Sequence, residues 1–244
     1  MYAFVSFALI MLLLFPFVII ATFFGRIRGG NIILRICSLW ADIWFPMIFI
    51  LHRKIYEVPH DKKKQYIFVT NHISWLDAAI LVKAYRQPFR PLGKVEMSKI
   101  PVFGFIYRNA IVSVDRSSAA NRSQSIRTLK SIISKGISVM VFPEGTFNLT
   151  HQPLKEFYDG AFRVAIETQT PVKPVLFLDA YSRMHYSSIF TLNPGRSRIV
   201  YLDEIPVEGL TLSDVSTLKE KVKSIMESRL IGYNAAWINP DTIQ

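Results

Sequence analysis

His72 and Asp77 are the two side chains of this sequence whose types and spacing are best suited to acid–base chemistry. They stand five positions apart and directly follow the apolar run 66–70. Such a run before a polar turn predicts a buried strand, and open α/β sheets bind ligands at the ends of their strands. A histidine oriented by a carboxylate can act as a general base toward a hydroxyl group. A structural interpretation stands beside this one, because Asp77 could instead close a capping box with Ser74.

A second polar segment follows the apolar run 137–141 and reads Phe142-Pro143-Glu144-Gly145-Thr146. Glu144 offers a hydrogen-bond acceptor and Thr146 offers a hydroxyl, a combination suited to a polyol headgroup. Gly145 allows the backbone to turn close to a ligand. Because this segment also follows an apolar run, it is predicted to lie at a strand end, where ligands bind.

These two motifs, in this order, resemble those of the glycerolipid acyltransferase family, whose best known members are 1-acyl-sn-glycerol-3-phosphate acyltransferases. The first family motif reads Asn-His-x-Ser-x-x-Asp, and the sequence matches it at Asn71, His72, Ser74 and Asp77. The resemblance implies that His72 is the general base and that Asp77 orients it. The implied reaction is direct attack of an acceptor hydroxyl on an acyl thioester, with backbone N–H groups stabilising the oxyanion. It implies no metal and no cofactor, only acyl-CoA or an acyl-carrier-protein thioester as co-substrate.

Two further blocks support the resemblance. Segment 93–104 resembles the family's basic-x-Glu block, in which Lys94 and Lys99 are candidate phosphate-binding cations. By composition alone, these two lysines would simply be solvated surface residues. Segment 111–116 resembles an apolar strand that ends in Asp-Arg, which makes Arg116 a candidate cation near the acceptor. A structural pair with the preceding aspartate is the other interpretation of that arginine.

The sequence departs from the family pattern directly after Thr146. The family continues with Arg and Ser, whereas this chain has Phe147 and Asn148. That arginine is commonly assigned to the phosphate of the acceptor. The predicted reaction is therefore O-acylation of a lysolipid, with 1-acylglycerol-3-phosphate as the first acceptor and a phosphate-free lysolipid, such as a lyso-aminoacyl lipid, as the alternative. A non-catalytic membrane-binding scaffold is the alternative from another class.

A predominantly apolar segment, 3–24, opens the chain, and residues 1–25 contain no Asp, Glu, Lys or Arg. As a helix it would extend about 33 Å, enough to cross the hydrocarbon core of a bilayer. Arg26 and Arg28 follow at once. The positive-inside rule therefore predicts a membrane-bound protein whose catalytic domain lies on the cytoplasmic side.

The next segment, 31–51, predicts a second helix with a single polar stripe formed by Asn31, Arg35, Ser38 and Asp42. This pattern is typical of an amphipathic helix that lies in the membrane interface. The alternative is a second spanning helix whose polar stripe faces protein. Both interpretations make this segment part of a membrane anchor.

Beyond residue 60, strand-like and helix-like patterns alternate without an internal repeat. We expect strands at 65–70, 111–114, 137–142, 172–178 and 198–203 and helices at 74–86, 121–135, 159–169 and 213–231. Short, apolar strands separated by helices predict an α/β fold with a largely parallel central sheet covered by helices on both faces. The predicted domains are an N-terminal helical membrane anchor at 1–52 and an acyltransferase domain at 60–244.

The chain carries 29 Lys and Arg against 18 Asp and Glu, a formal net charge of +11. This excess suits anionic lipid headgroups and an anionic thioester donor. The predicted partners are membrane lipids and acyl-CoA or acyl carrier protein, and not nucleic acid, for which no binding motif is found. The single cysteine, Cys37, excludes an intramolecular disulfide framework, and the other histidines lack the spacing of metal ligands.

Overall fold

The protein was analysed as a computed structural model, which describes residues 2–114 and 119–239. Its chain contacts define two compact units that are interleaved in sequence. The first unit comprises Met1–Phe49 and Leu81–Met140, and the second unit comprises Ile50–Ile80 and Val141–Gln244. The predicted division into an anchor at 1–52 and a catalytic domain at 60–244 stays a prediction.

Helices and strands alternate over most of the described chain. The α-helices are α1 (Tyr2–Thr22), α2 (Gly25–Met47), α3 (Asp77–Ala84), α4 (Phe103–Ala110), α5 (Ala119–Ile133), α6 (Gly160–Glu167), α7 (Ala180–Arg183) and α8 (Val215–Gly232). The strands are β1 (Ile50–Tyr56), β2 (Ile67–Thr70), β3 (Phe89–Lys94), β4 (Val112–Val114), β5 (Ser138–Val141), β6 (Val172–Phe177) and β7 (Gly195–Tyr201).

In the second unit the strand order is β1-β7-β6-β2. β1 runs parallel to β7, with Ile50 opposite Gly195, and β2 runs parallel to β6, with Ile67 opposite Val172. Only the β6–β7 pair of these strands is antiparallel. Helix α6 contacts β2 and α8, and α8 contacts β6, so helices flank these strands.

In the first unit the order is β5-β3-β4, and both pairs are parallel. Residues of β2, β5 and β6 are buried along their whole lengths. Strands that are apolar toward both faces must be covered on both, which is the usual setting of parallel strands. The predicted α/β class with largely parallel strands flanked by helices is confirmed.

The N-terminal helices pack against each other within the first unit. Among the described helices, α1 alone has the length and hydropathy needed to cross a bilayer, a test that a signal sequence or a buried core helix can also pass. The indole N–H groups of Trp40 and Trp44 donate to the backbone carbonyls of Phe7 and Ala3 on α1. These bonds tie α2 to α1 by specific contacts as well as by apolar packing.

Much of the predicted polar stripe of α2 is paired with protein groups of the first unit. The Asn31 side chain accepts from Arg90, and the Ser38 hydroxyl donates to the carbonyl of Val82 at 2.6 Å. Asp42 accepts from Lys83 at 2.6 Å, and Arg86 adds a second ion pair to the same carboxylate. The stripe thus faces protein at these three positions, while the placement of α2 relative to a membrane stays a prediction.

Four elements were not predicted from the sequence pattern: β1, β3, α4 and α7. β1 carries His52, Arg53 and Lys54 and is only partly buried, because it is the terminal strand of its order and pairs on one side. Its charged residues hide the apolar alternation that would mark a strand. The predicted helix 74–86 is shorter in the structure, since α3 begins at Asp77 and ends at Ala84.

Candidate functional site

His72 and Asp77 are in direct contact in the second unit. The Nδ1 atom of His72 lies 2.8 Å from the Oδ2 atom of Asp77. The histidine follows the end of β2, and the aspartate is the first residue of α3. Since Asp77 is fully buried while 22% of the His72 side chain is exposed, the carboxylate sits behind the ring and the ring reaches the surface. This is the arrangement of a general base oriented by a carboxylate.

The same carboxylate oxygen also organises the turn before α3. Oδ2 of Asp77 accepts the backbone N–H groups of Ile73 at 2.8 Å and Ser74 at 2.9 Å. The orienting and capping interpretations of Asp77 therefore hold together and do not compete. One consequence is that these two N–H groups are already bonded to Asp77 and are poorly placed to stabilise an oxyanion.

Asn71 fixes the end of β2 against the end of β6. Its side-chain N–H donates to the carbonyl of Phe177 at 3.0 Å, and its side-chain oxygen accepts the N–H of Phe177 at 2.8 Å. The side chain thus extends the strand pairing by one step. Ser74 adds a second tie, because its hydroxyl donates to the backbone carbonyl of Met184. Both residues help to fix the position of residues 71–76, the loop between β2 and α3 that contains His72 and is called the His72 loop below.

Glu144 is buried behind the histidine loop, with only 2% of its surface exposed. One carboxylate oxygen accepts the backbone N–H of His72 at 2.9 Å, and the other accepts that of Lys155 at 3.0 Å. Burial raises the pKa of the Glu144 carboxyl to about 7, against the opposing effect of these two N–H groups. This geometry gives Glu144 a positioning function, where the sequence indicated an acceptor for a headgroup.

Gly145 and Thr146 complete the second motif. Gly145 has a φ of 72°, in the left-handed region that favours glycine, so the turn after Glu144 depends on it. The hydroxyl of Thr146 accepts from the Nζ of Lys155 at 2.7 Å. Lys155 is therefore a cation attached to this motif, and sequence reasoning missed it because no motif spacing distinguishes it.

Aromatic rings enclose His72. Its imidazole stacks on Phe142 at a centroid distance of 4.0 Å and packs edge to face with Phe147 at 4.4 Å. Phe147 in turn meets Trp75 edge to face at 4.9 Å. Trp75 is 46% exposed, and its indole N–H donates to the carbonyl of Tyr186. The departure from the family pattern at Phe147 thus places an apolar ring beside the base.

Two of the remaining predicted site residues belong to the first unit. Lys94 and Lys99 are exposed residues of the first unit, at the end of β3 and in the short 3-10 turn that follows it. Arg116 lies outside the described residues. Within residues 2–114 and 119–239, no group of three or more His, Cys, Asp or Glu side chains is arranged to hold a metal ion.

Comparison with known proteins identifies a family for this chain. A family model described as Acyltransferase matches residues 51–178. The Mus musculus 1-acyl-sn-glycerol-3-phosphate acyltransferase alpha is 29% identical over 209 residues, covering 82% of this chain and 71% of the mouse protein. An uncharacterized acyltransferase of Schizosaccharomyces pombe is 28% identical over 173 residues, covering 70% of this chain but only 62% of the yeast protein.

A solved structure shares the fold. The crystal structure of the 1-acyl-sn-glycerophosphate (LPA) acyltransferase PlsC from Thermotoga maritima matches with a TM-score of 0.74. The match covers 98% of this chain and 97% of that chain, at 20% sequence identity. At this identity, the likeness concerns the fold alone.

Proposed function

Because this chain belongs to the Acyltransferase family, we propose that it is a membrane-bound enzyme that transfers a fatty acyl group from an acyl thioester to the free hydroxyl of a lysolipid. The observation that carries the proposal is the 2.8 Å contact between His72 and the buried carboxylate of Asp77. The first candidate acceptor is 1-acylglycerol-3-phosphate, in line with the names of relatives such as the mouse protein. The product would then be phosphatidic acid, with acyl-CoA or acyl carrier protein as donor.

In the proposed reaction, the Nδ1–H group of His72 donates a hydrogen bond to Asp77 and keeps its proton. The lone pair of the ring is therefore on Nε2. Nε2 takes the proton of the acceptor hydroxyl while the hydroxyl oxygen attacks the thioester carbonyl. The tetrahedral intermediate collapses to the new ester and expels the thiolate. The thiolate then takes this proton from the imidazolium, which restores neutral His72. No acyl-enzyme forms, because the hydroxyl oxygen attacks the thioester directly.

Lys155 supports a phosphate-bearing acceptor. Its backbone N–H and that of His72 bind the two oxygens of the same carboxylate, Glu144, and its Nζ reaches Thr146. The family has an arginine at the position of Phe147. In this chain, Lys155 therefore brings a cation to the same motif from a later segment. A lysine ammonium interacts with phosphate as a point charge. We assign Lys155 to the acceptor phosphate, ahead of Lys94 and Lys99.

The rings of Phe147 and Trp75 favour the alternative acceptor, a lysolipid without phosphate. The rings of Phe147 and His72 pack edge to face at 4.4 Å, so the surface beside the base is apolar there. If this surface contacts the acceptor, a charged phosphate would lose hydration without gaining a partner. Replacing Phe147 with Arg would then leave turnover of the true acceptor unimproved.

One experiment tests the function and separates these acceptors. Thiol release from acyl-CoA is measured with the purified protein against lysophosphatidic acid, lysophosphatidylcholine and a lyso-aminoacyl lipid. Wild type should turn over lysophosphatidic acid fastest, and His72→Ala should lower the rate by about 10² to 10⁴. His151→Ala, a histidine of the same unit that bonds the carbonyl of Trp237, is the matched control and should retain activity.

Two outcomes would overturn the proposal. A folded His72→Ala protein with near-normal thiol release would exclude the general-base mechanism. Absence of thiol release from wild type with every acceptor, and with an acyl-carrier-protein donor as well, would favour the non-catalytic membrane scaffold.

The proposed location is the membrane, with the catalytic part on the cytoplasmic side. α1 is apolar along its whole length and largely exposed: side chains such as Leu13 and Phe17 have 72% and 58% of their surface accessible. The first cations of the sequence, Arg26 and Arg28, follow directly after this helix. Exposed apolar area of this kind is stable when lipid covers it. A reporter fused after Gln244 should resist added protease in sealed vesicles whose cytoplasmic face is inside. Digestion of the reporter in those vesicles would contradict the proposed orientation.

A further inference from the structure

The first unit contains a cavity of about 330 Å³ that is lined by cations. It lies between the beginning of α2, β3, the end of α4, and α5. No Asp or Glu occurs among the described residues that line it. The cations that line it are Arg26, Arg90, Arg108, Arg127 and Lys135. All of these residues belong to the first unit, and none of them is among the residues that contact His72.

Arg90 is the buried member of this group, with 4% of its surface exposed. Its Nη1 donates to the side-chain oxygen of Asn31 at 2.7 Å and to the carbonyl of Phe89 at 2.8 Å. Its Nη2 donates to the carbonyls of Ile27 at 2.9 Å and Arg26 at 3.4 Å. These acceptors are all neutral. Burial, followed by the charge of Arg26, lowers the pKa of the Arg90 guanidinium to about 10.

Two exposed members of the group are also held by neutral oxygens. Arg108 donates to the carbonyl of Ser98, and Arg127 donates to the side-chain oxygen of Gln124 at 3.0 Å. Positive charges that converge on one cavity repel each other and attract a counter-anion. Arginine suits phosphate in particular, since its planar group offers parallel N–H donors to two phosphate oxygens.

We propose that this cavity is a binding site for a phosphate-bearing anion, contacted by Arg26, Arg108, Arg127 and Lys135, with Arg90 as the buried charge that holds its wall. The phosphate can come from the headgroup of an anionic lipid or from a soluble phosphoester. The position of the cavity favours the lipid. Arg26 follows Phe23 and Phe24 at the end of α1, and these rings are 84% and 59% exposed. A lipid whose chains cover those rings would bring its headgroup to the cavity.

Arginine protection tests the site directly. The full chain in neutral detergent is treated with phenylglyoxal, which modifies accessible arginines, and the modified peptides are quantified by mass spectrometry. Dioleoylphosphatidic acid, dioleoylphosphatidylcholine, adenosine 3′,5′-bisphosphate and inorganic phosphate are added in separate arms. Phosphatidic acid should slow modification of Arg108 and Arg127 at least fivefold, while the exposed Arg53 and Arg196 of the second unit change less than twofold.

The arms distinguish the sources of the phosphate. Protection by phosphatidic acid but not by the bisphosphate supports a lipid headgroup, and the reverse supports a soluble phosphoester. Three results would overturn the proposal. The first is protection of Arg53 and Arg196 equal to that of Arg108 and Arg127. The second is protection by phosphatidylcholine as strong as that by phosphatidic acid, and the third is no protection in any arm.

Matched variants then test the contacts. Arg127→Gln combined with Lys135→Gln should reduce the protection of Arg108 from at least fivefold to less than twofold. Lys62→Gln combined with Lys63→Gln removes the same number of exposed charges elsewhere and should leave that protection unchanged. Ser131→Glu, an exposed residue of the cavity lining, introduces an anion at the site and should also abolish protection. Equal loss in the Lys62/Lys63 control would show that general charge is responsible and would overturn the proposal.

Discussion

At the scale of single residues, Asp77 makes three contacts with one oxygen atom. It meets Nδ1 of His72, which it orients in the proposed reaction, and it accepts two backbone N–H groups of the turn before α3. Asp77→Asn keeps the size of the side chain but removes its charge, so the imidazolium formed during proton transfer loses its counter-ion. We expect kcat to fall by about 10² to 10⁴, with little change in the KM of the acceptor. Steady-state kinetics on the folded variant check this, and a loss confined to KM would contradict the orienting role.

The buried Glu144 carboxyl predicts a dependence of stability on pH. Because its folded-state pKa is raised to about 7, the folded protein holds this proton more tightly than the unfolded chain does. The resulting stabilisation is complete below about pH 4.5 and is lost as the pH rises through about 7, a change on the order of 3 kcal/mol.

Glu144→Gln removes this titration, so the variant should lose less stability than wild type between pH 5 and pH 8. It should still be less stable at both values, since an amide opposes one of the two N–H groups that the carboxylate accepts. Thermal unfolding at the two pH values measures both effects. Glu208→Gln, at an exposed carboxylate, is the control and should keep the wild-type slope. If Glu144→Gln and wild type lose the same stability between pH 5 and pH 8, the raised pKa of Glu144 is contradicted.

Lys155 provides the residue-level test of the acceptor phosphate. A charge-assisted contact contributes roughly 1.5–3 kcal/mol, which corresponds to about ten- to hundredfold in affinity. Lys155→Met should therefore raise the KM for lysophosphatidic acid by that factor, while Lys221→Met, at an exposed lysine of α8, should not. If Lys94→Met or Lys99→Met raises the KM and Lys155→Met does not, the phosphate belongs to those lysines.

At the scale of elements, the site depends on how β2 is held to β6. Asn71 makes two hydrogen bonds to the backbone of Phe177 and is almost completely buried. Asn71→Ala leaves the N–H and the carbonyl of Phe177 without these partners, and we expect it to cost roughly 2–4 kcal/mol of unfolding free energy. It should also lower kcat, because the His72 loop follows directly. Denaturant unfolding and thiol release are measured together, and full stability in the variant would refute the proposed tie.

At the scale of the whole molecule, the proposed attachment to membranes would combine an apolar helix with a charge of +11. Removal of residues 2–24 deletes α1 and should release part of the protein from carbonate-washed membranes. The remainder should stay bound to anionic vesicles at low salt and dissociate at high salt, because screening weakens interactions between exposed charges. A truncated protein that resists both carbonate and high salt would show that the anchor lies elsewhere.

The sequence by itself determined the features that arise from neighbouring residues or from periodicity. His72 and Asp77 are five positions apart on one turn, so their contact follows from local backbone geometry. The buried strands and the apolar α1 follow from composition, because apolar runs must leave water. The α/β class and the family could therefore be predicted. The elements that escaped prediction are β1, whose charges hide its alternation, β3, α4 and α7.

Only the tertiary structure decided which distant side chains meet. Glu144 reaches the backbone of His72, and Lys155 reaches Thr146, through contacts that no spacing in the sequence specifies. The cationic cavity of the first unit is likewise assembled from β3, α4 and α5 together with α2, which is far from the other three in the chain. The physical reason is that local propensity fixes each element, whereas the partners of a buried charge are set by which elements pack together.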